Sequence, residues 1–271
     1  SRSRANTKLA RVARVGWVER SETHHSEVPI ARWVSLRSTH PTGYRAAVEL
    51  EALGFLKNYV CRDTKMGKVI FKEEKKYTFS DYFDFINPTE EIANAFGYSF
   101  TTKILDLPVA TDINKDVIVS LQEDFYEILP KISLNSEIAK RDFMIVPILW
   151  GVIRYAKAKI NVEYQIDIDN RLSGSLDYLI RSDQEIIVIE AKKGDIDRGF
   201  NQLVAEMIAL DMYEEEGLPG SLYGAVSIGE LWRFGILDRK KKNIYRDLHT
   251  YRVPEDIEKV FMVILGILQK A

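Results

Sequence analysis

KINVEYQIDIDNRLSGSLDYLIRSDQEIIVIEAK, from Lys159 to Lys192, is the stretch on which the reading of this chain turns. It opens on a strict alternation. Ile160, Val162, Tyr164, Ile166 and Ile168 share one face, and Glu163, Gln165 and Asp167 share the other. That is the period of a half-covered strand. Asn170 and Arg171 make a turn, Leu172 to Arg181 a second strand, and Ser182-Asp183 a second turn. Glu185 to Ala191 is a third strand, whose run Ile186-Ile187-Val188-Ile189 predicts burial on both faces.

Reading outward, Ser136 to Ala158 is expected as one long helix, capped by Asn135 or Ser136 and kinked at Pro147. Gly199 to Glu215 reads as a helix with Leu203, Met207, Leu210 and Met212 on or near one side. Leu222 to Leu237 holds one or two strands, Lys240 to Asn243 a turn, and Ile244 to Val253 another strand. Pro254 to Lys270 closes as a helix with proline in its first turn. Upstream, Tyr77 to Ile86 is aromatic-rich and expected to pack. Pro88-Thr89-Glu90-Glu91 starts a helix ending near Gly97, Tyr98 to Leu107 reads as a strand, and Asn114 to Ile128 as a helix closed by Pro130. Trp150 and Trp232 read as core rather than as stacking platforms.

The chain has 271 residues and a net charge of −2, an ordinary composition for a water-soluble globular protein. The sign is uneven: residues 1–65 hold 12 Lys and Arg against 6 Asp and Glu, and the remainder is net acidic. An acidic body argues against tight, unspecific nucleic-acid binding over its whole surface, and leaves room for a local basic groove. Cys61 is the single cysteine, which excludes an internal disulfide and a multi-cysteine zinc site. The apolar stretch Val260 to Leu268 is too short to span a bilayer, and no signal peptide is read, so the expected location is the cytoplasm. No GxxxxGK[ST] loop occurs, so no ATP-driven motor is expected.

Residues 1–47 differ from the rest. They are rich in Arg, Ser and Thr, and Trp17-Val18 with Thr23-His24 recurs as Trp33-Val34 with Thr39-His40. Val15 to His25 resembles peptides translated from dispersed bacterial genomic repeats. The expected organisation is a disordered or non-native extension over 1–65 with Met66 as a start, a helical or mixed subdomain over 66–132, and the principal domain over 133–271.

Chemistry concentrates in the second and third strands. Glu190 and Lys192 are two apart and so share a strand face. If those strands form a hairpin, Asp177 sits beside Glu190. Two carboxylates and an ammonium converging at a strand end repel or desolvate one another unless a divalent cation binds the acids. Hard oxygen ligands suit Mg2+ or Mn2+. Such a centre hydrolyses phosphodiesters: metal held by Asp177 and Glu190 acidifies a water, and Lys192 orients it and offsets charge in the transition state.

Asp177 followed by Glu190-Ala191-Lys192 resembles the signature of the PD-(D/E)XK nuclease superfamily, and Ile187 to Lys192 is similar to the N-terminal nuclease domain of type I restriction endonuclease R subunits. The resemblance covers about residues 136–216. It implies an α/β fold with a restriction-endonuclease-like core, a central mixed β-sheet flanked by helices. It implies that Glu137 helps hold the metal and that Gln202 positions the active site or the DNA backbone. Leu176 stands where the signature has proline. The implied activity is Mg2+-dependent hydrolysis of DNA, or RNA, in restriction, repair or defence, by a chain that works alone or as a homodimer. Lys193 and Arg198 flank the site and are expected on phosphates, as is the run Arg239-Lys240-Lys241-Lys242 if its turn borders the cleft. Two other classes compete: an inactive module of the same fold that binds nucleic acid or protein, and an interaction protein using residues 66–130.

Overall fold

The structure, a computed structural model, describes residues 70–72, 74–111, 113, 115–182, 186–191, 194–213 and 220–269, and for 186–191 the backbone alone. The expectations for residues 1–65 therefore lie outside the described residues. In chain order the elements are α1 (Phe79–Phe83), α2 (Thr89–Ala95), β1 (Ser99–Lys103), α3 (Asp116–Ile128), α4 (Glu137–Lys140), α5 (Val146–Ile153), β2 (Lys159–Asp167), β3 (Ser173–Arg181), β4 (Ile186–Ala191), α6 (Ile196–Tyr213), β5 (Ser221–Ser227), β6 (Leu231–Asp238), β7 (Asn243–Asp247), β8 (Tyr251–Arg252) and α7 (Ile257–Gln269).

β2, β3 and β4 form an antiparallel meander. Its first turn is fixed by Asp169, whose Oδ1 accepts from the amides of Arg171 at 2.7 Å and Leu172 at 3.0 Å. The chain then crosses over through α6, and β5 returns parallel to β4, a connection too long for a hairpin. β5, β6 and β7 continue antiparallel, and β1 adds parallel to β7. Among the described residues the result is one eight-stranded mixed sheet in the order β1-β7-β6-β5-β4-β3-β2, with β8 against β6.

Helices cover both faces, giving three layers. On one face Ile148, Leu149 and Val152 of α5 and Val260, Phe261 and Ile264 of α7 pack on Tyr178, Ile180, Tyr223, Ala225, Trp232 and Phe234. On the other, Phe200, Leu203 and Met207 of α6, with α1 and α2, pack on Leu176, Leu179, Leu222, Val226, Leu237 and Ile244. α6 approaches closely because Gly224 presents no side chain: a Cβ there would lie 2.9 Å from Leu203 and 3.0 Å from the Met207 sulfur. None of the described helices is long and apolar enough to cross a membrane.

Several expectations change, and the last helix begins at Ile257, leaving Pro254 in the turn before it. The helix expected over 136–158 ends at Ile153, and a π-helical turn, Arg141–Ile145, between α4 and α5 shifts its hydrogen-bond pattern directly ahead of Pro147. Trp150 is 66% exposed on the outer side of α5 rather than in the core. Met212 is likewise exposed, in the last turn of α6. The strand over 244–253 is two, β7 and β8, with Asp247 at the break accepting from the amides of Leu105 and His249.

Candidate active site

Asp177 lies at a break in the regular pleat. Leu172 and Leu176 pack on the α6 side of the sheet, Tyr178 and Ile180 on the opposite side, and Leu179 on the α6 side again. Face alternation thus slips by one residue at Asp177. The neighbouring strand slips at the same level, with Ile160 on the far side but Tyr164, Ile166 and Ile168 on the α6 side. Between the pairs Val162↔Tyr178 and Tyr164↔Leu176 the ladder skips Glu163 and Asp177. Glu163 takes a left-handed backbone (φ 52°), which costs a non-glycine residue about 1 kcal/mol or more. Such irregularities re-aim side chains. Asp177 itself is half-buried.

The ladder between β3 and β4 runs from Arg181↔Ile186 to Tyr178↔Ile189. Continued by one step, that register would set Asp177 across from Glu190. Glu190 in turn pairs with Val226 of β5. β3 and β4 are thus adjacent and antiparallel, and their ladder ends one residue short of Asp177 and Glu190. The side chain of Glu190, and Lys192 and Lys193 entirely, lie outside the described residues. Among the described residues no group of three His, Cys, Asp or Glu side chains could hold a metal ion.

Beyond Lys193 the chain turns at Gly194 (φ 83°), and Asp195 caps α6, accepting from the amides of Asp197 at 3.1 Å and Arg198 at 3.0 Å. Arg198 is half-exposed and pairs with Asp195 at 3.5 Å. It lines a shallow hollow of about 400 Å³ with Asn87, Thr89 and Asn201. Gln202, on the second turn of α6, is buried against the sheet. Its Nε2 donates to Oε1 of Glu206 at 2.9 Å, and its buried Oε1 has no hydrogen-bond partner among the described residues. Glu206 is fully buried. A wholly buried carboxylate beside a buried amide is a polar island in an apolar layer, and such groups are held by partners.

Glu137 is exposed in the first turn of α4, whose start is fixed by Ser136 Oγ accepting from the Ala139 amide at 3.1 Å. Lys140 and Met144, one and two turns on, lie against Gly229, just after β5. The basic turn after β6 is engaged with its own chain. Arg239 Nη1 donates to Asp211 Oδ1 at 2.9 Å, the Tyr98 hydroxyl donates to the other oxygen at 2.5 Å, Lys241 pairs with Asp238, and Lys242 sits over the Tyr98 ring. Burial, and then the bond to Asp211, hold the Tyr98 hydroxyl protonated well above the usual phenol range.

One cluster has no counterpart in the sequence motifs. Arg233 of β6 and Arg246 of β7 both donate to Oδ1 of Asp197, at 2.6 and 3.2 Å. Arg233 also donates twice to Thr250 Oγ1, at 3.0 and 2.8 Å. The three residues of the ion cluster come from three elements, so no spacing announces it. No family model matches the chain, and no curated protein matches it.

Proposed function

We propose that this chain is a metal-dependent phosphodiester hydrolase acting on DNA, built on a restriction-endonuclease-like core. The observation that carries the reading is the break at Asp177, one register step beyond the last pair of β3 and β4, where the same register continued would meet Glu190. The element order supports it as well: helix, three antiparallel strands, crossover helix, parallel strand.

The donor set suits a hard divalent ion, for Asp177 and Glu190 offer carboxylate oxygens from adjacent strands, and Gln202 holds a buried carbonyl oxygen in reserve on the helix that follows. Asp177 and Glu190, with Glu137, would hold Mg2+ or Mn2+, which when bound supplies an acidified water and a polarised phosphoryl oxygen. Lys192 orients the attacking water and takes or shares its proton at the amine nitrogen. It also places a positive charge beside the phosphoryl oxygens as charge builds there. Gln202 and Glu206 brace α6 against the sheet beneath the site. Lys193 and Arg198 meet flanking phosphates.

The test is cleavage of supercoiled and linear DNA with Mg2+ or Mn2+ by the wild type, Asp177→Ala and Lys192→Ala. Cutting that needs the ion and disappears in both variants is expected. Cutting that persists in either variant, or a wild type inert on every nucleic acid offered, sinks the reading.

A further inference from the structure

On the face covered by α6, Arg233, two strands away from Glu190, and Arg246, on the strand after that, aim their guanidinium ends at one point. Their side chains are 17% and 24% exposed, while the carboxylate that joins them, Asp197, is 66% exposed. Arg246 is held in place by apolar flanks, its guanidinium over the rings of Phe100 and Phe200 at 5.4 and 5.7 Å. Arg233 is held by its two bonds to Thr250. Two guanidiniums gathered side by side around a single carboxylate leave a net positive charge. A clasp between helix and sheet needs only one cation for one acid, and the second guanidinium adds repulsion and desolvation. Fixed, forked donors converging on a surface point match a phosphate, whose oxygens accept from both. Asp197 is attached by an exposed side chain and can swing aside.

The register gives the distance to the chemistry. Glu190 pairs with Val226, and Val226 with Arg233, so the three positions lie in one line across β4, β5 and β6. Two strand spacings amount to about 10 Å. That is close enough for both places to meet nearby phosphates of one DNA strand, whose spacing of about 3.4 Å along the helix axis is shorter than their straight-line separation.

We propose that Arg233 and Arg246 form a subsite for a DNA backbone phosphate close to the scissile bond, with Asp197 occupying it until DNA displaces the carboxylate. The proposal rests on the nuclease reading for its substrate, and it assigns binding, not chemistry, to these residues.

The experiment measures binding of a short labelled DNA duplex to the full chain by fluorescence anisotropy in EDTA, across a series of salt concentrations. Arg233→Gln and Arg246→Gln should each weaken binding about tenfold, as loss of a charge-assisted contact does. Each should also lower the slope of log affinity against log salt by about 1. Asp197→Asn should strengthen binding, because it removes the competitor and keeps both arginines. Unchanged affinity and slope in arginine variants that melt like the wild type overturn the proposal, as does a wild type that binds no duplex. If the arginine variants melt early, Asp197→Asn decides: weakened binding there marks the cluster as a structural clasp. Cleavage with Mg2+ on the same samples separates the two readings. A wild type that binds through these arginines but never cuts refutes the nuclease and keeps the subsite. An Arg233→Gln/Arg246→Gln double variant that binds and cuts like the wild type refutes the subsite and keeps the nuclease.

Discussion

Replacing Asp211 by alanine removes the carboxylate that joins the Tyr98 hydroxyl at 2.5 Å to Arg239 at 2.9 Å. The side chains of Asp211 and Arg239 are only 10% and 13% exposed. Breaking a buried ion pair from one side costs about 3–5 kcal/mol, and this residual exposure argues for the lower end, about 3 kcal/mol. For a domain of this size each kcal/mol moves the melting midpoint by roughly 2–4 °C, so Asp211→Ala should melt about 10 °C below wild type. Tyr98→Phe loses one hydrogen bond to a charged acceptor and keeps the ion pair. It should cost about 1.5 kcal/mol, or roughly 5 °C. Thermal unfolding of the full chain by circular dichroism reads both. At a temperature where every variant is folded, DNA binding should be unchanged, because Arg239 serves the scaffold and not the phosphates. A drop for Asp211→Ala of under about 1 kcal/mol would show that water takes over for the carboxylate and that the burial argument is wrong. Loss of DNA affinity in a folded Asp211→Ala would return the basic turn to the binding surface.

Two further outcomes are expected. Burial opposes the charged form of Asp169, but its bonds from the Arg171 side chain and from the Arg171 and Leu172 amides prevail and hold its carboxyl below the usual carboxylate range. A depressed folded value means that the stabilisation is complete above the unfolded value, near pH 4, and is lost as pH falls through the folded one. Asp169→Asn should therefore melt lower than wild type at neutral pH, by about 1 kcal/mol, with the gap closing below about pH 4; a gap that widens in acid contradicts the assignment. Gly266→Ala would set a Cβ 2.6 Å from the Ala110 nitrogen and 2.7 Å from the Pro108 oxygen, backbone atoms that cannot step aside. The shift forced on α7 should cost about 3 kcal/mol in urea denaturation, and a variant as stable as wild type would show that the helix has room.

Much of the sheet is legible in the sequence because alternation and turn residues act locally. Glu163, Gln165 and Asp167 interleaved with apolar residues specify a strand, and Asp169 to Leu172 specify the turn that follows. The antiparallel pairing of β3 with β4 is legible too, because few residues separate the two strands in sequence. What alternation cannot reveal is its own interruption. The slip at Glu163 and Asp177 is a property of two strands together, and each reads as regular alone. Trp150 misleads for a related reason. Its apolar bulk predicts burial, but α5 is apolar on nearly every side, so composition does not say which residue faces outward. The arginine pair is invisible for a third reason: Arg233 and Arg246 become neighbours only through the pairing of β6 with β7, and Asp197 joins them from a helix far away in the chain.

The irregular backbone at Glu163 has a second effect. Among the described residues β2 is the outermost strand at its end of the sheet, with an outer rim of peptide groups that another chain could extend. A left-handed residue in the middle of that rim, at φ 52°, bends it out of the line that a straight incoming strand requires, and Lys159 and Asp167 put charge at its two ends. The same distortion that sets Asp177 apart from its ladder thus makes the rim a poor template for cross-β growth, so straightening it, for instance by Glu163→Val, would favour aggregation while improving local strand propensity.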